Sequence, residues 1–264
     1  MISTEKLSVI YKSTKLEALK EASIYLPRNN VTCVIGPNAS GKTTLLKAIG
    51  DIIDYKGMIL INNQDVKRLG RALRKMLAYA STVIKDDLLA VRVKDLLLAS
   101  RYPVSRGLFD TEEDLEEVQR VAKIMRVEHL LDRKIGELSS GELQRVVVAA
   151  TLIRRPSIVL LDEPDSHLDI AAKPWLSNLL RDISKECTVV ITTHDVIFAL
   201  NTCDYFVVIS KGRVIFQGYY EELVKSPAPL EDAYGVKFIS ARSGSRTLFV
   251  PLYIDQPTEI TKRG

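Results

Sequence analysis

The residues Gly36-Pro37-Asn38-Ala39-Ser40-Gly41-Lys42-Thr43 carry the spacing G-x-x-x-x-G-K-[ST]. The chemistry this spacing permits is phosphate binding. Glycines let the backbone wrap an anion, and successive N–H groups point inward at the start of a helix. Lys42 is placed to bridge the β- and γ-phosphates of a nucleotide as a point charge. Thr43 offers a hydroxyl to a Mg2+ shell. The pattern carries weight only between a strand and a helix. Both flank it here: Val31–Ile35 reads as a buried strand, and residues 44–49 read as a helix with Leu45, Leu46 and Ile49 apolar and Gly50 as its stop.

A second apolar run, residues 158–161, ends in Asp162-Glu163. A strand ending in acid places carboxylates at the C-terminal edge of a parallel sheet, where ligands bind. Asp162 can hold Mg2+ directly or through water, and Glu163 can orient or activate an attacking water. Taken alone, a strand end with solvated acids would look the same; the phosphate loop tips the reading towards catalysis. His194 follows the run 188–193. It fits a structural histidine, or a contact to the γ-phosphate if its strand lies beside the loop. His129 and His167 have no comparable setting, although His167 sits near the acid pair. Ser139 and Glu142 form the pattern S-x-x-E of a capping box for a helix over 143–153. The same helix start, with Ser140 and Gly141, also has the makings of an anion site. Both readings fit these residues.

The elements that must position these groups alternate between β-rich runs and helical periods, which predicts a mainly parallel α/β sheet. Strands are expected at 58–61, 188–191, 206–209 and 214–216, the last two joined as a hairpin through Lys211-Gly212-Arg213. Between about Ser81 and Pro156 the signal is mostly helical. Leu115, Val118, Ala122 and Met125 share a face there, behind a capping box at Thr111 and Asp114. A helix with Pro174 in its first turn buries Trp175, Leu176, Leu179, Leu180 and Ile183. We expect a single domain over 1–240, with its core in 1–81 and 156–240 and a helical insertion at about 82–155. An extension over 241–264 has an apolar run, 248–254, that Pro251 marks as an edge strand.

Composition narrows the class. The chain has 264 residues, 46% hydrophobic and 27% charged, as a globular protein does. A net charge of +4 is too mild to argue for nucleic acid by itself. The first residues, MISTEKLSVIYK, have charges where a secretory signal needs an apolar core. No uncharged stretch reaches the ~18 residues that span a bilayer. The expected protein is neither secreted nor membrane-spanning. Cys33, Cys187 and Cys203 fit neither a metal spacing nor an even disulfide framework, which points to a reducing compartment.

The ordered set of motifs resembles the nucleotide-binding subunit of ABC transporters. GPNASGKTT, ending at Thr44, matches the family's Walker A; LSSGELQRV resembles its LSGGQ signature; IVLLDEP matches Walker B with its glutamate. Ser166-His167-Leu168-Asp169 matches the D-loop and His194 the switch histidine. Tyr11 fits the aromatic residue that stacks on adenine, or else a core or edge-strand tyrosine. The resemblance runs over residues 7–218. Ser100-Arg101-Tyr102-Pro103, Gly107-Leu108-Phe109 and Glu128-His129-Leu130-Leu131-Asp132-Arg133 further resemble the ATPases of iron-siderophore, haem and vitamin B12 importers.

The resemblance implies a P-loop NTPase with a mainly parallel RecA-like sheet, an N-terminal antiparallel β region and an inserted helical subdomain. It implies ATP and Mg2+ as cofactors and ATP hydrolysis as the activity. ATP would lie between residues 36–44 and Tyr11 of one copy and Ser139, Ser140, Gly141 and Glu142 of a second copy, with Asp169 close by. Further partners would be two transmembrane permease subunits and, indirectly, an extracytoplasmic solute-binding protein, with the chain at the cytoplasmic face of the membrane and no nucleic acid. The alternatives are a soluble ABC ATPase acting on nucleic acid or in complex assembly, and a hydrolysis-poor subunit of a heteromeric transporter. Three residues depart from the family. Ala39 and Ser140 replace glycines. No glutamine stands near Ser81 or Thr82, where the family has one; Thr82 would offer its hydroxyl near Mg2+ instead.

Overall fold

The computed structural model describes residues 1–81, 86–104 and 111–252. Two long antiparallel strands, β1 (Ile2–Tyr11) and β2 (Leu16–Leu26), open the chain. Next come β3 (Val31–Ile35), α1 (Lys42–Ile49), β4 (Lys56–Ile61) and β5 (Gln64–Asp65). The short helices α2 (Val66–Leu69) and α3 (Arg71–Met76) lead into β6 (Leu77–Ser81). The α-helices described next are α4 (Val93–Arg101), α5 (Glu112–Met125) and α6 (Ser140–Leu152). The chain then alternates through β7 (Ile158–Asp162), α7 (Ala172–Ser184), β8 (Thr188–Thr193), α8 (Val196–Thr202), β9 (Tyr205–Ser210) and β10 (Arg213–Tyr219). It closes with α9 (Tyr220–Leu223), α10 (Ala228–Tyr234), β11 (Phe238–Ser243) and β12 (Arg246–Pro251).

The central sheet has the order β10-β9-β3-β8-β7-β6, parallel except for β10 at one edge. Its inner strands β9, β3, β8 and β7 are buried on both faces, as a parallel sheet requires, and the pleat divides their side chains between two cores. Val31, Cys33, Ile35, Val159, Leu161, Val189 and Ile191 face the core shared with the helices. Val34, Leu160, Val190, Val207 and Ile209 face a second core, shared with α1 and the antiparallel sheet β2-β1-β4-β5. This is the α/β architecture expected, with the antiparallel β region and the helices at 93–152 in place. Among the described residues no helix is long and apolar enough to cross a membrane.

Local chemistry explains several boundaries. The capping box of α5 forms in full: Thr111 Oγ1 accepts from Asp114 N at 3.2 Å and Asp114 Oδ2 accepts from Thr111 N at 3.1 Å. Val118, Val121, Ala122 and Met125 form its buried stripe. Leu115 does not join them and is 38% exposed. The inward position of that first turn belongs to Asp114, ion-paired with Arg101 of α4. In α7, Leu176, Leu179 and Leu180 are buried, while Trp175 and Ile183 are half-buried. The β9–β10 turn uses Lys211 at φ 49° and Gly212 at φ 79°, the left-handed pair that a tight hairpin needs.

The tail differs from a single edge strand. β11 and β12 pair with each other as a separate hairpin, and Pro251 closes β12 opposite Phe238. Residue 240 lies inside β11, so the hairpin spans the expected boundary. Leu248 and Phe249 are buried in the helical core. Gly107-Leu108-Phe109, Thr82 and residues 253–254 lie outside the described residues.

Candidate active site

The register of the parallel strands gathers the predicted groups at one sheet edge. Ile35 pairs with Thr193, Asp162 with Thr192, and Ser81 with Asp162. The phosphate loop leaves β3, the acids leave β7, and His194 leaves β8, all from C-terminal strand ends.

The loop is built on two tight approaches. Gly36 has φ 154°, and a Cβ there would stand 2.0 Å from the carbonyl oxygen of Ile209. Gly41 has φ 112°, and its Cβ would stand 2.6 Å from the Ala18 carbonyl oxygen. Gly41 also caps α1 with no side-chain hydrogen bond, so the positive end of the helix opens into the loop. Ala39 is exposed at φ 60°. Its replacement of a glycine therefore falls where L-residues are strained, at a cost of about 1 kcal/mol. Pro37 and Asn38 lie at the loop surface, while Ser40 is buried behind them and donates N–H to Pro37 O at 3.2 Å.

Lys42 is only 5% exposed. Its ammonium donates to Gly36 O at 2.9 Å and Pro37 O at 3.1 Å. Burial lowers its pKa, and the neighbouring Glu163 and Asp162 oppose that shift. Thr44 is buried behind the loop, and its hydroxyl meets the Tyr11 hydroxyl at 3.1 Å. Tyr11, half-buried at the end of β1, thus borders the loop.

Asp162 is 7% exposed and accepts three hydroxyl donors. Thr43 Oγ1 stands 3.0 Å and Thr192 Oγ1 2.6 Å from Oδ1, and Tyr79 OH stands 3.3 Å from Oδ2. Burial first, and then the Asp162 charge, push the Tyr79 hydroxyl well above its ordinary pKa, so it remains a donor. Glu163 sits at φ 53°, and its N–H donates to Thr192 Oγ1 at 2.9 Å. His194 is more than half exposed, with Nδ1 3.8 Å from Glu163 Oε2, near but beyond hydrogen-bond range. Thr193 Oγ1 donates to the buried Asp165 at 2.7 Å and accepts from Asp195 N at 3.0 Å. Lys173 of α7 in turn holds Asp195 at 2.6 Å.

Tyr79, Thr192, Thr193 and Asp165 escaped the sequence reading. The two threonines had a signal, since they end a strand that must neighbour Asp162. Tyr79 had none, because β6 itself was not foreseen.

Among the described residues the 139–142 turn makes no hydrogen bond to the chain's own phosphate loop. Ser139 Oγ accepts from Glu142 N at 3.3 Å, and Glu142 Oε2 accepts from Ser139 N at 2.8 Å. The Ser139 N–H and the Ser139 hydroxyl, both donating to the Glu142 carboxylate at 2.8 Å, hold that carboxyl below its ordinary pKa. Ser140 and Gly141 lead α6, and a Cβ on Gly141 would meet only His167 O within 4 Å. Asp169 Oδ1 accepts from Ala172 N at 2.7 Å and so helps to start α7.

A Mg2+ ion fits the donors present. Thr43 and Asp162 put a hydroxyl and a carboxylate side by side at the loop, and Mg2+ takes one or two carboxylates with hard oxygens and substrate phosphates. An all-protein cage is not needed. Among the described residues no three His, Cys, Asp or Glu side chains converge as one.

Residues 19–166 match the family described as ABC transporter. The chain belongs to that family. An uncharacterised ABC transporter ATP-binding protein of Methanocaldococcus jannaschii is 32% identical over 240 residues, covering 89% of this chain and 92% of the relative. The petrobactin import ATP-binding protein of Bacillus subtilis is 32% identical over 222 residues, covering 82% and 86%. Among solved structures, an inward-facing ABC transporter of metal-chelate type superposes with a TM-score of 0.80 at 23% identity, covering 96% of this chain and 97% of its counterpart. A dimeric bacterial ABC transporter cassette superposes with a TM-score of 0.75 at 24% identity, covering 83% and 99%. These two likenesses establish the fold. This ABC ATPase is the ATP-binding subunit of a transporter, as its family and relatives indicate.

Proposed function

We propose that this ABC ATPase hydrolyses ATP at a site shared by two of its own copies and so drives import of an iron siderophore or similar metal chelate through two separate membrane subunits. The observation that carries the reading is the Asp162 carboxylate bonded to Thr43 at 3.0 Å, with Glu163 and His194 beside it. The loop amides and Lys42 bind the phosphates. Tyr11 borders the adenine. Thr43 and Asp162 hold Mg2+, which screens phosphate charge when bound. Glu163 takes a proton from the water whose oxygen attacks the γ-phosphorus. The bond to the β–γ bridging oxygen then breaks, and His194 steadies the charge on the transferred group.

The exposed start of α6 supplies the second half of the site in the partner copy. One loop leaves the γ-phosphate open on one side, and a capped helix N-terminus closes it. ATP binds the closed pair and shifts the population towards it, and hydrolysis releases the pair. Asp169 lies beside that junction. Support for metal-chelate import comes from the petrobactin relative at 32% identity. A solute-binding protein outside the membrane and a place at its cytoplasmic face follow from that reading.

Glu163→Gln tests the core of it. With ATP and Mg2+ the variant should bind nucleotide, lose turnover and elute as a dimer in size-exclusion chromatography with light scattering. A monomer under those conditions, or unchanged turnover, removes the shared-site reading. Energised uptake of labelled ferric siderophore by the reconstituted transporter tests the cargo.

A further inference from the structure

The segment after Gly218 lies beyond residues 19–166, which match the family model, yet it reaches the phosphate loop. Helix α10 packs along β9, and its last residue, Tyr234, turns its hydroxyl to the start of the loop. That hydroxyl accepts a hydrogen bond from Gly36 N at 3.1 Å. Gly36 is the first residue past β3 and is buried, so this amide needs a partner from outside the strand. The carbonyl oxygen of the same residue accepts from Lys42 Nζ at 2.9 Å. Gly36 is therefore held at both polar groups, by the C-terminal helix on one side and by the loop's own lysine on the other. Its back is against the Ile209 carbonyl, which leaves no room for a Cβ.

The tyrosine is itself braced. Its ring meets Phe238 of β11 edge-on, with centroids 6.4 Å apart and planes at 74°. The hairpin behind Phe238 is fastened by Arg246, whose guanidinium donates to Leu200 O at 2.6 Å and Cys203 O at 3.0 Å. The Thr247 amide is a further tie, donating to the Tyr220 hydroxyl at 2.6 Å. Burial pushes the Tyr234 hydroxyl far above its ordinary pKa, so it stays neutral across the working range. A neutral, braced hydroxyl is a fixed reference point for a loop built mostly of small residues.

We propose that Tyr234 is a positioning residue for ATP binding: its hydroxyl sets the first amide of the phosphate loop, which makes the C-terminal segment part of the nucleotide site. The proposal rests on the reading of residues 36–43 as the ATP loop. Tyr234→Phe keeps the ring and its contact with Phe238 and removes only the acceptor. Losing one such hydrogen bond should weaken binding of a fluorescent ATP analogue about three- to tenfold. KM for ATP should rise by the same factor, with kcat at saturation within about twofold, because the bond is made in ground state and transition state alike. Tyr220→Phe, which loses a hydroxyl in the same segment without touching the loop, serves as the comparison and should lower Tm with wild-type affinity. A wild-type Kd and KM in Tyr234→Phe overturn the proposal. Should that variant fold poorly, hydrogen exchange of the Gly36 amide in the nucleotide-free wild type decides: protection supports the bond, and exchange at the open-loop rate overturns it. Retained tight binding in Lys42→Ala would instead defeat the loop reading itself, so the two failures are distinguishable.

Discussion

Thr192 donates its hydroxyl to Asp162 Oδ1 at 2.6 Å and accepts the N–H of Glu163 at 2.9 Å. One side chain of β8 thereby fixes both acids at the end of β7, and their spacing to the loop depends on it. Thr192→Val keeps the shape and β propensity but leaves a buried carboxylate with one hydroxyl fewer and the Glu163 amide with the Thr192 carbonyl oxygen, at 3.2 Å, as its remaining acceptor. We expect a loss of about 1–3 kcal/mol in unfolding free energy and a fall in ATPase rate of about tenfold through misplaced acids. Chemical denaturation and phosphate release measure the two effects. Thr192→Ser should restore most of the rate, because it returns the hydroxyl; if it does not, the methyl packing matters more than the bond.

Ala39 makes a prediction of opposite sign. It holds φ 60° at an exposed position, so nothing but the turn itself demands a residue there. Glycine removes the Cβ strain of the left-handed region, while its looser unfolded chain returns part of the gain. Ala39→Gly should be neutral to stabilising by up to about 1 kcal/mol, seen as a Tm increase of a few degrees at most. A clear Tm decrease would mean that the φ at this position is not set by the loop.

The site was legible wherever one residue type carries one chemistry at fixed spacing. Gly36, Gly41, Lys42 and Thr43 announce an anion loop, and Asp162 announces itself by ending an apolar strand. What supports them was hidden. Tyr79 and Thr192 look like ordinary strand residues until register places both against Asp162, and register is a tertiary fact. Leu115 misled for a related reason: periodicity marks a face but does not say which turn has a neighbour, and Asp114 with Arg101 filled that place. The Pro251 argument gave an edge strand but not its partner, because the pairing of β11 with β12 depends on what packs beneath them.

Acid should weaken the helical part through Glu117. Its side chain is buried on α5, a burden that alone would raise its pKa, but hydrogen bonds from Arg120 at 2.8 and 2.6 Å and from Arg155 at 3.1 and 2.8 Å outweigh burial. The carboxyl is lowered from 4.5 to about 2. A carboxyl depressed in the folded state contributes stability that is complete above its unfolded pKa and lost as pH falls towards the folded value. The loss should therefore run from about pH 4.5 down to about pH 2. Glu117→Gln should lower stability at pH 7 by roughly 1–3 kcal/mol and flatten the pH dependence in that window. Thermal melts of both proteins between pH 2.5 and pH 7 provide the comparison, and parallel curves would remove Glu117 from the account.

Lys42 separates function from stability most sharply. Burial already lowers its pKa, so the folded chain holds this ammonium against a desolvation penalty that Glu163 and Asp162 only partly offset. Its two bonds to Gly36 O and Pro37 O recover some of that penalty. Lys42→Ala removes the penalty and the bonds together, and the net change in Tm should be small, with either sign. Nucleotide binding has no such compensation, because the variant loses the one cation inside the loop among the described residues. Affinity for a fluorescent ATP analogue should fall at least a hundredfold, roughly 3 kcal/mol or more, while the melt stays within a few degrees of wild type. Lost affinity accompanied by a collapsed melt would make Lys42 a structural residue first; kept affinity would mean that the phosphates bind elsewhere.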